Sequence, residues 1–250
     1  MNTGLFNTLR IVGWIARREL GGYFSSLPGY GIVAAYLLVS GLLFNIYAVG
    51  STPRFSQEVL GAFFYFSSGM AIVTAVLLSV RLLAEERQMG TLVLLRTAPI
   101  TERQIVWGKF LSALAFLAII VALSAYMPAL VALRGKISLT QIAVGYLGLM
   151  LLGSACIAMT LLASSWSSSQ VVAGASGGVM VVVLLVMWML AGVTEPPLKQ
   201  LFSYLALHNL HFLSFSRGSL HLRDVVYYLG LTLLFLEGAT HVLASWRWRE

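Results

Sequence analysis

The sequence predicts an all-α integral membrane protein with six transmembrane helices. Of its 250 residues, 59% are hydrophobic and 10% are charged, whereas roughly 25% are charged in an average soluble domain. The mean hydropathy is +0.88. A soluble fold of this length cannot bury so much apolar surface, so lipid must cover part of it. We therefore treat residues 1–250 as a single membrane-spanning domain.

Six apolar runs are long enough to cross a bilayer as helices. Pro128 lies within the third run and predicts a kink there, because proline has no N–H to bond back along the helix. The predicted spans lie near residues 30–49, 60–80, 110–133, 142–163, 171–191 and 225–246.

The distribution of Lys and Arg predicts that both termini are cytoplasmic. With six spans both termini share one side of the membrane, and cytoplasmic loops carry the excess of positive charge. The net charge of +7 then reflects contact with anionic lipid and not with nucleic acid. The expected location is the bacterial inner (plasma) membrane. The terminal side holds Arg10, Arg17, Arg18, Arg81, Arg87, Arg96, Arg103, Lys109, Arg247 and Arg249; the other side holds Arg54, Arg134, Lys136, Lys199, Arg217 and Arg223.

The residues before the first span predict a helix that lies in the membrane interface. Arg10 and Arg17 share one helical face, with the apolar side chains on another, so the cations would sit among the lipid headgroups. An anchor and a part in gating both remain open for this helix. The predicted apolar face consists of Leu5, Leu9, Val12, Ala16 and Leu20.

The loop between the second and third spans carries two local signals. A short amphipathic segment is predicted from about Glu85 to Arg96, with charges first and leucines behind. After Pro99, Thr101-x-x-Gln104 is a capping box that begins a new helix. A helix held at the membrane surface could dock a cytoplasmic partner, and the residues alone support an ordinary charged loop equally well.

The segment between the fifth and sixth spans, Gly192 to Asp224, is too polar to span the bilayer and too apolar to extend into water. It is rich in aromatic and leucine side chains. Short re-entrant helices that dip into the outer leaflet fit this composition.

Several motifs together resemble the ABC-2-type transporter permeases. The stretch Glu85-Glu86-Arg87-x-x-Gly90-Thr91-x-x-x-Leu95 is similar to the first cytoplasmic loop of that family. It is followed by Thr97-Ala98-Pro99-Ile100 and Gly108-Lys109-Phe110. Two further stretches are similar to the gliding-motility permease branch, with the nitrous-oxide-reductase maturation permeases nearby. They are Glu19-Leu20-x-x-Tyr23-Phe24-Ser25-Ser26-Leu27-Pro28 and His211-Phe-x-Ser214-Phe-x-Arg217-Gly218 with Arg223-Asp224-Val-Val-Tyr227.

The resemblance implies a permease subunit of an ATP-driven exporter. It implies a second permease chain, identical or homologous, two cytoplasmic ABC ATPase subunits and re-entrant external helices, with an extracytoplasmic accessory protein as a further possible partner. The coupling helix would run from about Glu85 to Arg96. The residues expected to meet the ATPase are Glu85, Glu86, Arg87, Gly90, Thr91 and Arg96.

The chain lacks the motifs of an ATPase or a zinc enzyme. Gly108-Lys109 and Gly135-Lys136 have neither the first glycine nor the Ser or Thr of a phosphate loop. We therefore expect no cofactor on this chain, with ATP and Mg²⁺ bound by the partner ATPase. Cys156 alone allows no intrachain disulfide. His208, His211 and His221 have no carboxylate at ligand spacing, so no metal site is predicted.

Two alternative functions are compatible with the sequence. Gly174-Ala175-Ser176-Gly177 matches the Gly-x-Ser-Gly of intramembrane serine proteases, with His241 as a candidate base. The same residues also read as a close-packing face at Gly174 and Gly178. The other alternative is a membrane scaffold or mechanotransmitter driven by the same ATPase.

Glu237 is the one acidic residue predicted to lie deep within a span. Its distance from the end of the sixth run places it near mid-membrane, about 13 Å from the cytoplasmic boundary. An intramembrane carboxyl is costly, so we expect it to be protonated or paired, with His241 one turn away as the candidate partner. A place in the transport pathway and a structural hydrogen bond are both open.

Overall fold

The computed structural model of the protein describes residues 2–49, 55–90, 100–134 and 136–245. Within these ranges the chain forms ten α-helices and no β-strand, which confirms the predicted all-α class. A π-helical turn, Phe44–Val49, continues the second helix. The helices are α1 (Asn2–Ser25), α2 (Leu27–Leu43), α3 (Ser56–Gln88), α4 (Glu102–Leu123), α5 (Tyr126–Arg134), α6 (Leu139–Trp166), α7 (Gln170–Val193), α8 (Leu198–Leu205), α9 (Phe212–Ser216) and α10 (Leu222–Ser245).

Six segments of the described chain are long and apolar enough to cross a membrane, as predicted. Each overlaps one predicted span, and several run further. The second continues eight residues past Val80, because its polar end keeps helical hydrogen bonds beyond the apolar part. The segments are Leu27–Tyr47, Ser56–Gln88, Glu102–Leu133, Leu139–Trp166, Gln170–Val193 and Leu222–Ser245.

The third span is interrupted where the sequence predicts a kink. Helix α4 ends at Leu123 with Ser124 as its C-cap, and α5 begins at Tyr126. Pro128 lies in the first turn of α5, where a missing N–H removes no intrahelical bond. The break falls four residues before Pro128 because the proline ring would clash with the carbonyl of that residue in a continuous helix.

Helix α6 is the centre of the bundle. It is buried along most of its length and packs against α3, α4, α7, α9 and α10. Glycines on α6 allow large side chains to approach its backbone. A Cβ atom added at Gly145 would lie 2.5 Å from the Phe64 ring, and one at Gly148 would lie 2.5 Å from the Cβ of Phe215.

The N-terminal helix α1 packs along α4 at one end of the bundle, which is called the α1 end below. Its inner face carries the buried residues Val12, Ile15 and Tyr23. Of the predicted apolar face, Val12 is buried in the bundle, whereas Leu9 is 65% exposed. The contact is close because Gly108 of α4 has no side chain: a Cβ there would lie 2.6 Å from Ile15.

The segment between α7 and α10 folds back into the bundle, as predicted. The backbone N–H of Leu207 donates to the carbonyl of Leu184 at 3.1 Å, nine residues before α7 ends. His208 Nε2 lies 2.7 Å from Ser68 Oγ, twelve residues after α3 begins. At about 1.5 Å per residue, the turn between α8 and α9 reaches about 13–18 Å below the helix ends.

Tyrosines of α10 satisfy the backbone of this re-entrant turn. The hydroxyl of Tyr227 donates to the carbonyl of Leu205 at 2.8 Å, and that of Tyr228 donates to the carbonyl of Leu207 at 2.7 Å. His211 and Asp224, both fully buried, are joined by an Nδ1–Oδ1 contact of 2.8 Å. Irregular backbone at membrane depth requires such partners, because lipid offers none.

Filling the glycine contact between α6 and α9 should destabilise the fold. Gly148→Val places methyl groups against the buried Phe215, and such overpacking costs about 1–3 kcal/mol. We expect a lower thermal unfolding midpoint in detergent. The matched control is Gly230→Val on α10, where an added Cβ meets nothing within 4 Å. Equal midpoints for the two variants would contradict the close contact between Gly148 and Phe215.

Candidate functional site

A cluster of buried charges joins α1, α3 and α4 at the α1 end. Lys109 of α4 is 1% exposed, and its Nζ lies 2.8 Å from Glu86 Oε1 and 3.4 Å from Glu19 Oε1. Glu19 belongs to α1 and Glu86 to the last turns of α3. A fully buried ammonium requires nearby carboxylates, so Lys109 fixes the positions of three helices at once.

Arg18 completes the charge balance of this cluster. Its Nη2 lies 2.7 Å from Glu19 Oε1 and 3.6 Å from Glu86 Oε1, with the rest of the side chain exposed. Burial raises the pKa of Glu19, but Lys109 and Arg18 lower it more, so the pKa lies below its ordinary value. The stabilisation from Glu19 is therefore present above the ordinary carboxyl pKa and is lost as the pH falls through the lowered value.

A cavity of about 230 Å³ opens beside the charge cluster. Glu85 lines it and pairs with Arg81 one turn earlier, at 2.9 Å between Oε2 and Nε. The cavity also reaches Met89, one residue before Gly90, which adopts a φ of 71°. The last turns of α3 therefore carry paired charges and border this cavity. Its other lining residues are Glu19, Gly22, Tyr23, Leu82, Glu86 and Lys109.

The end of α3 is also tied to α6. The Arg87 guanidinium donates to the carbonyls of Trp166 and Ser167 at 3.1 and 3.3 Å. One turn deeper, the Ser164 hydroxyl of α6 donates to the carbonyl of Val80 at 3.0 Å. The same oxygen accepts from the backbone N–H groups of Leu83 and Ala84 at 3.2 and 2.9 Å. Movement of the α3 end would therefore reach α6 directly.

The predicted coupling residues fall into two groups in the structure. Glu85, Glu86 and Arg87 do not begin a separate helix; they belong to the end of α3, which continues to Gln88. The difference arises because charged residues extend a helix as readily as they begin one. Gly90 lies in the turn that follows, while Thr91, Arg96 and the rest of the predicted segment lie outside the described residues. The capping box at Thr101 and Gln104 is confirmed.

The sequence did not reveal the pairing of Lys109 with Glu19 and Glu86. All three residues occur in the motifs that carry the family resemblance. By composition alone, however, Lys109 looks like an ordinary charged residue of the loop before the third span. The available signal was Gly108, a small residue beside a lysine at the start of an apolar run. It permits the approach of α1 and thereby of Glu19.

Glu237 is paired, but not with the predicted partner. Its Oε2 lies 2.9 Å from Nη2 of Arg103, in the first turn of α4. The two side chains are 41% and 67% exposed. The carboxylate therefore lies at the level of the first turn of α4 and not at mid-bundle. Helix α10 continues beyond this level to Ser245, so its end does not mark the level at which α4 begins. His241 lies on an exposed part of α10.

Small residues on α7 allow close contact with α3 and α6. An added Cβ at Gly174 would lie 3.3 Å from Val80 of α3, and one at Gly177 would lie 3.0 Å from the Cα of Thr160 on α6. At Gly178 an added Cβ meets nothing within 4 Å. The glycines that contact other helices of this chain are thus Gly174 and Gly177, while Gly178 faces outward.

The structure does not assemble the alternative serine protease site. The Ser176 hydroxyl donates to the carbonyl of Val172 within its own helix, at 2.7 Å. Helices α7 and α10, which carry Ser176 and His241, each pack most extensively against α6. A nucleophile must lie within hydrogen-bond reach of its base, and the described structure records no bond between these two.

The three histidines near the re-entrant segment serve different contacts. His208 bonds Ser68, and His211 bonds Asp224 and the carbonyl of Tyr204. His221 lies exposed before α10. Across the described residues no three His, Cys, Asp or Glu side chains come together as metal ligands would.

These features define a class of protein. In the described part of the chain, six apolar helices, a re-entrant segment between the fifth and sixth, and a cluster of buried charges at the end of α3 describe a multi-pass membrane component. Residues 29–239 match the family model described as ABC-2 family transporter protein. The chain therefore belongs to the ABC-2 family, which confirms the resemblance at that level. It is a permease-type membrane component, of a family that works with an ABC ATPase. A search of curated proteins found no match.

Removing the buried cation should destabilise the α1 end. Lys109→Met leaves two carboxylates with less neutralising charge, and breaking a buried pair costs about 3 kcal/mol. Glu86→Gln should also lower the free energy of unfolding. The double variant should lose less stability than the two single variants together, because it removes both charges of the pair. Equilibrium unfolding in mixed micelles measures all three.

The control for this cycle is Arg81→Gln, which breaks the half-exposed pair with Glu85. An exposed pair of this spacing contributes about 0.3–0.5 kcal/mol, so a small effect is expected. Strict additivity of Lys109→Met and Glu86→Gln would show that these residues do not interact.

Proposed function

We propose that this chain is the permease subunit of an ATP-driven ABC exporter, with ATP and Mg²⁺ bound by a separate ATPase subunit. The observation that carries the proposal is the charge cluster of Lys109, Glu86 and Glu19. It lies where α3 ends, and Glu86 is itself one of the residues that the family resemblance assigns to ATPase contact. Export, as opposed to import, rests on that resemblance.

In this proposal the ATPase moves the end of α3 as a rigid lever. The charge cluster carries the displacement to α1 and α4, and the bonds from Arg87 and Ser164 carry it to α6. Packed helices shift between discrete arrangements more readily than they deform. ATP binding and hydrolysis would then reorient four helices together and open or close a path for substrate.

The proposed orientation places the α1 end in the cytoplasm. Positive charge is more abundant at this end, and cytoplasmic loops carry the excess of Lys and Arg. Glu85, Glu86, Arg87, Gly90, Thr91 and Arg96 would then meet the ATPase. The gliding-motility branch, with its relatives in nitrous-oxide-reductase maturation, remains the predicted subgroup.

A second permease chain, identical or homologous, would complete the transport path above two ATPase subunits. Helix α7 supports this arrangement because its outer face is exposed and apolar, with Val171 81% and Val179 60% exposed. Gly178 lies on the same helix with open space beside it. Small residues at such a position allow a helix of another chain to approach closely.

Affinity purification in mild detergent tests the partnership. The tagged chain should co-purify with a protein that carries a nucleotide-binding ATPase domain, and the complex reconstituted in lipid should hydrolyse ATP. Glu86→Lys should reduce that hydrolysis, because a second cation then faces the buried Lys109. The double variant with Glu86→Lys and Lys109→Glu should restore part of the hydrolysis, because the two positions again carry opposite charges.

Glu195→Lys is the matched control, since Glu195 is exposed between α7 and α8 at the other end of the bundle. It should leave hydrolysis unchanged. Purification without any nucleotide-hydrolysing companion would refute the proposal. Unchanged hydrolysis in Glu86→Lys would show that the α3 end is not the coupling element.

A further inference from the structure

A second cavity, of about 560 Å³, lies at the end of the bundle opposite α1. Its walls come from the first turns of α3 and α6 and from the end of α9. The volume falls within the range of about 300–1,000 Å³ that small-molecule sites occupy. The lining residues that bear on its chemistry are Phe55, Glu58, Tyr65, Phe66, Gln141 and Arg217.

Two opposite charges line this cavity. Glu58 belongs to the first turn of α3, and Arg217 directly follows α9. In the described part of the chain neither side chain forms an ion pair, with the other or with any third residue. The cavity therefore presents an anionic group and a cationic group, each available to a ligand that carries both charges.

The cavity walls are held together by one buried amide. Gln141 of α6 is 2% exposed, and its Nε2 donates to the carbonyls of Gln57 and Ser216 at 3.1 and 3.0 Å. Behind Arg217 the chain turns at Gly218, whose φ is +81° and where an added Cβ would lie 2.9 Å from the Cα of Gln141. The two charged walls are thus fixed relative to α6 before any ligand arrives.

The same glutamine leaves an acceptor without a donor. Its Oε1 is buried and makes no hydrogen bond within the described residues. Both partners of Nε2 are carbonyl oxygens, so the orientation of the amide follows from the network. A buried oxygen without a donor is costly, and the two hydrogen bonds of Nε2 must offset that cost.

Aromatic rings mark the level of the cavity in the membrane. Phe55, directly before α3, is 79% exposed, and Tyr65, about 13 Å further along the helix, is 45% exposed and also lines the cavity. Exposed aromatic side chains near the ends of spanning helices lie at the lipid–water interface, at the depth of the headgroups. Ring faces also attract ammonium groups. A ligand at this depth, between opposite charges and beside aromatic rings, has the chemistry of a zwitterionic headgroup.

We propose that this cavity binds the headgroup of phosphatidylethanolamine. Glu58 and the rings of Tyr65 and Phe66 receive the ammonium group, and Arg217 binds the phosphate through charge-assisted hydrogen bonds. The carboxylate of Glu58 disfavours anionic headgroups, which lack the ammonium. The acyl chains leave past the exposed Phe55 into the bilayer. This site is independent of the proposed ATPase coupling, so either can fail alone.

Native mass spectrometry of the delipidated full chain in detergent tests the site. The probes are short-chain phosphatidylethanolamine, short-chain phosphatidylglycerol and free phosphoethanolamine. Wild type should prefer the first. Glu58→Gln and Arg217→Gln should each weaken its binding by about tenfold, equivalent to about 1.4 kcal/mol for one charged contact. Phosphatidylglycerol binding should not weaken in Glu58→Gln.

The matched controls are Glu195→Gln and Lys199→Gln, exposed charges at the same end of the bundle that do not line the cavity. Thermal unfolding midpoints establish that every variant is folded. The proposal is overturned if the control variants weaken binding as much as Glu58→Gln and Arg217→Gln do. It is equally overturned if phosphatidylglycerol binds as well as phosphatidylethanolamine, or if free phosphoethanolamine binds as tightly, which would assign the cavity to a soluble zwitterion.

Discussion

The buried ammonium of Lys109 is the constraint on which the α1 end of this molecule depends. A charge that is 1% exposed cannot be left unpaired, so Glu86 of α3 and Glu19 of α1 must stay within 2.8 and 3.4 Å of it. Those short distances require α1 to lie against α4, which Gly108 permits. One lysine thus sets the relative positions of three helices from different parts of the sequence.

Helix α3 connects this cluster with the rest of the molecule. It is 33 residues long, or about 50 Å at 1.5 Å per residue. Its last turns hold Glu86, its middle bonds the re-entrant turn through Ser68, and its first turn carries Glu58 in the opposite cavity. In the proposed transporter, the ATPase displaces one end of α3. Because α3 is continuous, the displacement can reach both the re-entrant turn and the cavity beside Glu58.

The sequence predicted what depends on local composition and missed what depends on contact between distant segments. Apolar run length located six spans, Pro128 located the break in the third, and Thr101 with Gln104 located the start of α4. Hydropathy could not show that Lys109 is buried, because its partners lie 23 and 90 residues away in sequence. The same reason explains the pairing of Glu237 with Arg103, 134 residues apart, where a helical neighbour was the predicted partner.

The proposed transport cycle requires the α1 end to face the cytosol, where an ATPase can bind it. Site-directed labelling tests it: Met89→Cys, at a position 70% exposed, and Phe55→Cys, at a position 79% exposed, mark the two ends of α3, while the native Cys156 is buried. A membrane-impermeant maleimide added to intact cells should label position 55 and spare position 89, with the reverse in inside-out vesicles. Labelling of position 89 from outside intact cells would contradict a cytoplasmic α1 end.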